Sequence, residues 1–179
     1  TLTVNKARVH IVQATVADKD YDGNVNADVT GVVFANEADV RIDGLVAGTD
    51  YTVTGAFLSE NAGKQDAEVT VKLLGDFNSR YELTGGTYKT RATINAKPIS
   101  IATALTQERS YERNNTSVTI LGVTFKDSKD TTVTTLISSD YTATGTMVNA
   151  NIGTDKEVTV TVTLRGNAAK NYSLVPNMT

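Results

Sequence analysis

The chain has 179 residues, a net charge of −3, 40% hydrophobic residues and no cysteine. That length fits one large domain or two small ones. The missing cysteines exclude a disulfide framework, a thiolate metal site and a cysteine nucleophile, and the acidic balance gives no electrostatic reason to bind nucleic acid. No apolar run reaches the roughly 20 residues that a bilayer-spanning helix needs, so no membrane span is expected.

Residues 1–5 read as the end of a strand. Thr3-Val4-Asn5 matches Thr93-Ile94-Asn95 at an offset of 90, so this segment is expected to be the last-strand remnant of a preceding repeat. The opening shows no signal peptide. From Lys6 onward, Val9 and Ile11 alternate with Arg8 and His10, the period-two pattern of a strand. Ile99, Ser100 and Ile101 are the later counterpart. Next comes the acidic turn Asp18-Lys19-Asp20-Tyr21-Asp22-Gly23-Asn24, aligned with Glu108-Arg109-Ser110-Tyr111-Glu112-Arg113-Asn114. In that alignment only the Tyr and Asn positions are kept, and Tyr21 and Tyr111 are expected to pack across the module end. Val29 to Phe34 and Val118 to Phe125 form the second strand, with Gly31 and Gly122 marking a bulge or close crossing. Residues 36–49 and 127–139 differ most and hold a short edge strand.

The organising stretch follows, and it is written twice. Asp50-Tyr51-Thr52-Val53-Thr54-Gly55, Asn61-Ala62-Gly63, Val69 to Gly75 and Tyr81-Glu82-Leu83 recur as Asp140 to Gly145, Asn151-Ile152-Gly153, Val160 to Gly166 and Tyr172-Ser173-Leu174. The offset is 90 for the first blocks and 91 for the last. Tyr51, Val53, Gly55 and Phe57 face one way, and Thr52 and Thr54 the other. Val69, Val71 and Leu73 alternate with Thr70 and Lys72 in the same manner. Such alternation describes a half-buried antiparallel sheet. Gly63 and Gly153 supply the freedom for a turn.

No segment shows 3.6-residue periodicity over ten residues, so an all-β, antiparallel fold is expected. The sequence predicts two tandem β-sandwich modules of the immunoglobulin-like kind, end to end: residues 6–95 and residues 96–179. A β-grasp-like sheet is the alternative. Position 88 maps onto 179, so the second module is expected to lack its final strand. Its exposed edge would then be open to residues 1–5 of a neighbouring molecule. The junction Asn95-Ala96-Lys97-Pro98, with no flexible linker, predicts a fixed elongated arrangement.

The second strand, the Lys19-Asp20-Tyr21-Asp22-Gly23 turn, the Gly48-Thr49-Asp50-Tyr51-Thr52-Val53 block, Asn61-Ala62-Gly63 and the Tyr-x-Leu ending together resemble the YDG-type repeat of bacterial surface proteins. The resemblance covers nearly the whole chain, twice. The second copy departs from it, with Tyr111-Glu112-Arg113 in place of Tyr-Asp-Gly. The resemblance implies a secreted or cell-surface location and a stalk or adhesive role, and it supplies no catalytic residue.

Asp18-x-Asp20-x-Asp22-Gly23 is spaced like the start of a calcium loop, but its twelfth position is Val29, where a bidentate Glu is required. An acidic turn is therefore the favoured reading. His10 stands alone, and no Gly-x-Ser-x-Gly nucleophile elbow occurs. Tyr51, Tyr81, Tyr141 and Tyr172 could form a sugar-stacking platform, but their recurrence at equivalent places favours packing. Gly55, Gly145, Gly75 and Gly166 are structural repeat positions for the same reason. No residue trio marks a Lys–Asn isopeptide crosslink. The expectation is a non-catalytic spacer without cofactors, contacting neighbouring repeats, with a host or glycan ligand undefined. The alternative is a carbohydrate- or protein-binding module.

Overall fold

The computed structural model describes residues 1–176. The chain divides into two compact units, Thr1–Asn95 and Ala96–Thr179. Strands are its main regular structure, with two short helices.

The first unit contains β1 (Ala7–Val16), β2 (Lys19–Asp20), β3 (Asn26–Ala27), β4 (Val29–Asn36), β5 (Arg41–Ile42), β6 (Tyr51–Phe57), β7 (Gly63–Leu73), a short helix α1 (Gly75–Arg80), β8 (Tyr81–Leu83) and β9 (Thr87–Asn95). One sheet has the order β5-β4-β1-β8 and the other β2-β9-β7-β6-β3. The alternation read from the sequence is the alternation of burial. Val9, Ile11, Tyr51, Phe57, Val69 and Val71 are buried, while Thr52 and Thr54 are exposed. One core cluster joins Ile11, Ala14 and Phe34 of the first sheet to Tyr51, Val69 and Val71 of the second. Each such side chain contributes about 1.5–3 kcal/mol when removed from water, which fixes the register. A second cluster, Phe57, Ala67, Ala92 and Ile94, depends on β9 for two of its members.

The second unit contains β10 (Lys97–Thr106), β11 (Ser117–Val118), β12 (Ile120–Asp127), β13 (Thr132–Val133), β14 (Tyr141–Met147), β15 (Val158–Leu164), α2 (Gly166–Asn171) and β16 (Tyr172–Leu174). Its sheets run β13-β12-β10-β16 and β11-β14-β15. The correspondence with the first unit extends to irregularities. The β1–β4 register slips between Ile11 and Gln13 and again between Thr15 and Val16. The β10–β12 register slips between Ile101 and Thr103 and between Leu105 and Thr106. Each slip recurs 90 residues on, and the second lies beside Gly31 in one unit and Gly122 in the other. Bulges are specified features of a sheet, because each one sends the following side chains to the opposite face.

Two expectations need correction. The sheets are not purely antiparallel: β1 pairs parallel with β8, β10 with β16, and β2 with β9. For β8 and β16 the cause is the six-residue helix before each. It carries the chain from β7 in one sheet to β8 in the other, so β8 arrives without a hairpin. Gly75 and Gly166 start these helices at φ +49 and +55, a region closed to most side chains. Asp76 in the first turn and Arg80 in the last suit the helix dipole of α1. Phe77 points inward from it, edge-on to Phe34 at 6.2 Å. Six residues are too few for periodicity to register. The second correction concerns Val118, which belongs to β11 and pairs with β14; the strand expected over Val118 to Phe125 is β12, Ile120–Asp127.

Candidate functional site

The acidic turn that follows β1 is the most polar constellation singled out in the sequence. Its organiser is Lys19. Its Nζ donates to Asp22 Oδ1 at 2.7 Å and to the Asn24 carbonyl at 2.8 Å, and lies 5.7 Å from the centre of the Phe57 ring. Partial burial works against ionisation of Asp22. Hydrogen bonds from Lys19 and from the Asn24 backbone N–H, together with the Lys19 charge, outweigh that and hold its carboxyl below the ordinary value.

The three aspartates do not converge. Asp18 Oδ1 accepts from the Thr93 backbone N–H at 2.6 Å, Asp20 Oδ1 lies 3.4 Å from Asn95 Nδ2, and Asp22 faces Lys19. Two of these carboxylates fasten the turn to β9. Among the described residues no group of three or more His, Cys, Asp or Glu side chains is placed to hold a metal ion. Only Asp20 lies in β2, and the three carboxylates turn to separate partners.

The second unit rebuilds this turn with different residues. Arg109 lies 3.6 Å from Glu112 Oε2, and its Nη2 donates to the Asn115 carbonyl. Asn24 Oδ1 accepts from the Asn26 N–H, and Asn115 Oδ1 accepts from the Ser117 N–H, both at 2.9 Å. Asn24 therefore corresponds to Asn115, not to Asn114, and the extra residue lies inside the turn. Positive φ passes from Gly23 (75°) to Asn114 (59°), the side chain that best tolerates it. What the alignment by letters missed was the retained chemistry: a cation at 19 and 109, and a carboxylate three residues later.

Further caps recur. Asn36 Oδ1 accepts from the N–H groups of Ala38 and Val40, each at 3.0 Å. Asp127 Oδ1 accepts from Lys129 and Thr131, also at 3.0 Å. The next positive-φ residues are Asp39 and Asp130. Asp50 Oδ2 binds the Val46 N–H at 2.8 Å, and Asp140 Oδ2 binds the Ile137 N–H at 2.9 Å. These side chains hold loops by satisfying backbone donors.

The tyrosines pack inward. Tyr51 meets Phe34 edge-on at 5.0 Å, and Tyr141 meets Phe125 edge-on at 5.2 Å. The Tyr141 hydroxyl accepts from the Val123 N–H at 3.1 Å. Tyr81 lies 4.5 Å from Phe77, and the buried Tyr172 hydroxyl is 2.7 Å from Thr135 Oγ1. Tyr21 packs against the second core cluster, whereas Tyr111 is 61% exposed. Gly55 and Gly145 mark close crossings. A Cβ on Gly55 would stand 2.8 Å from the Ala27 carbonyl, and one on Gly145 2.8 Å from Ile120 Cδ1. Gly63 opens β7 at φ +125, while Gly153 has no such constraint and lies outside any strand.

His10 Nε2 lies 3.1 Å from Asp39 Oδ1, on the surface. Beside β1 is an open depression of 910 Å³ lined by Asn5, Lys6, Arg8, Asn36, Glu37 and Glu82 among others. Arg8 stands between Glu37 at 3.7 Å and Glu82 at 3.8 Å, all well exposed. Exposed pairs of this kind contribute about 0–1 kcal/mol.

Sheet faces, close glycine crossings and side-chain-capped turns define small all-β domains whose polar groups serve the backbone. A YDG domain is found at residues 95–179, beginning one residue before the second compact unit. No curated protein and no solved structure matches the chain. No helix among the described residues is long and apolar enough to cross a membrane.

Proposed function

We propose that residues 6–95 are a second copy of the YDG domain, and that the two immunoglobulin-like copies act as non-catalytic spacer modules of a secreted or cell-surface bacterial protein. Adhesion is a secondary role of the same array. The observation that carries this reading is the recurrence of both β-bulges 90 residues apart, in sheets crossed by equivalent short helices. A bulge is costly to place twice by accident, since each one resets which residues face the core.

A spacer needs stability in each unit more than it needs a site. In repeat arrays stability is close to a sum of local terms. The recurring side chains here are core apolar residues and turn caps, which serve that demand. The polar clusters are solvated and paired among themselves.

The test has two arms. Antibodies against the folded chain are applied to intact and to lysed cells of the organism that makes it. Labelling of intact cells is expected; labelling only after lysis would refute the surface role. The chain is also applied to a glycan array, with no binding expected. Saturable binding to one glycan class would replace the spacer by the carbohydrate-binding alternative.

A further inference from the structure

The turn that precedes β11 differs from its counterpart before β3 in a way that folding does not require. Both turns are held by the same backbone bonds. The Phe57 N–H donates to the Val25 carbonyl at 2.7 Å, and the Met147 N–H donates to the Thr116 carbonyl at 2.9 Å. Asn24 and Asn115 make the same cap. Gly23 therefore corresponds to Asn114, and Val25 to Thr116. Asparagine tolerates the positive φ that this turn needs, but glycine already meets that need at no steric cost. Thr116 is half-buried, and its hydroxyl makes no hydrogen bond among the described residues.

Together the two changes write Asn114-Asn115-Thr116 where the first unit has Gly23-Asn24-Val25. An Asn-x-Thr triplet without proline is an acceptor for N-linked glycosylation when it lies on a surface loop of an exported protein. Three other triplets of the Asn-x-Ser/Thr kind occur. Asn171-Tyr172-Ser173 is closed, because Asn171 is 4% exposed. In Asn115-Thr116-Ser117 the acceptor nitrogen is engaged: Asn115 Nδ2 donates to Glu112 Oε2 at 2.6 Å, while Oδ1 accepts from the Ser117 N–H. Asn177-Met178-Thr179 lies outside the described residues. Asn114 is exposed, and its side-chain amide makes no hydrogen bond among the described residues.

We propose that Asn114 is a modification site, the acceptor of an N-linked glycan that a glycosyltransferase delivers from a lipid-linked glycosyl pyrophosphate. The inference rests on the secreted or cell-surface location proposed above. In the transfer, Asn114 Nδ2 attacks the anomeric carbon of the donor. The C–N bond forms as the bond from that carbon to the phosphate oxygen breaks. The lipid pyrophosphate leaves with the electron pair, and one amide proton passes to a base of the transferase. An amide nitrogen is a poor nucleophile, because resonance delocalises its lone pair into the carbonyl. The transferase must therefore grip and twist the side chain, which demands an amide with no other partner. Asn114 meets that demand and Asn115 does not. The Thr116 hydroxyl, uncommitted in the fold, is the group the transferase holds beside it.

The test compares one peptide, containing residues 114–116, from two sources. One is the protein purified from its own organism. The other is the recombinant chain, made without the transferase, which keeps the mass of its sequence. An added glycan mass is expected in the first alone, and fragmentation is expected to place it on Asn114. Asn114→Gly and Thr116→Val restore the residues of the first unit, so both variants keep the fold, and each is expected to lose the added mass in the organism. Thr116→Ser keeps the hydroxyl and is expected to retain the glycan. Protein that labels on intact cells, yet carries the unmodified peptide, overturns the proposal and leaves the surface reading standing. Unmodified protein found only after lysis overturns both. A glycan on another residue, or one that survives Thr116→Val, also overturns the proposal.

Discussion

Lys97 Nζ lies 2.9 Å from Oδ2 of Asp127, whose other oxygen caps the β12–β13 turn. The cap position in the first unit is Asn36, uncharged, and Ala7 stands where Lys97 does. Charge and partner thus arrive together: a buried carboxylate is tolerated once a cation and two N–H groups face it. The Lys97 hydrogen bond, followed by those from Thr131 and Lys129, holds the Asp127 carboxyl at about 2.

The first prediction is a pH dependence of the second unit. A carboxyl with a lowered folded value stabilises the fold above its unfolded value, near 3.9, and loses that contribution as pH falls toward 2. Thermal unfolding between pH 5 and pH 2 should therefore show a falling Tm. Asp127→Asn should keep the turn, as Asn36 does, and flatten this part of the profile. An unchanged slope in the variant would count against the assignment.

The ionised Lys97–Asp127 pair also bears on covalent crosslinking. Condensation to an amide requires a neutral amine and a neutral carboxyl, the reverse of the state the hydrogen bonds favour. The intact mass should equal that of the sequence, with no loss of water.

Gly55 and Gly145 occupy equivalent crossings, but the backbone stands closer at the first. A Cβ at 55 comes to 2.8 Å from the Ala27 carbonyl, which is fixed by the β3–β6 ladder, and to 2.8 Å from Val29 Cγ2. At 145 the equivalent Val118 carbonyl is 3.1 Å away, and the 2.8 Å contact is with the end of the Ile120 side chain, which can rotate. Gly55→Ala should destabilise by about 2–3 kcal/mol and Gly145→Ala by about 1 kcal/mol, within the range of overpacking. Urea unfolding of the two variants checks the order.

Phe125 is 1% exposed and anchors a core with few other fully buried side chains. Phe125→Ala should cost about 3–5 kcal/mol. Because the chain forms two compact units, the loss should appear in one unfolding transition and leave the other in place.

Lys19→Ala should release Asp22 toward ordinary carboxylate titration, read as an upward shift in the NMR titration of its side-chain carbon. Arg109→Lys should preserve the second turn, and Arg109→Ala should loosen it. Faster exchange of the Ser117 N–H would report that loosening.

The sequence by itself determined the all-β class and the face of each long strand, because a period of two leaves one arrangement that buries Val69, Val71 and Tyr51 together. It also located the edge strands β5 and β13 and, in Gly31 and Gly122, the glycines beside the second register slip. Tertiary structure decided what depends on groups distant in sequence. The parallel pairing of β8 with β1 follows from a helix too short to leave a periodic trace. The partners of Asp18 and Asp20 in the acidic turn are Thr93 and Asn95, more than seventy residues away. The matching of Asn24 to Asn115 required knowing which backbone N–H each side chain caps. Local pattern encodes which face a residue shows, and only the folded chain brings together the partners that decide what a polar group does.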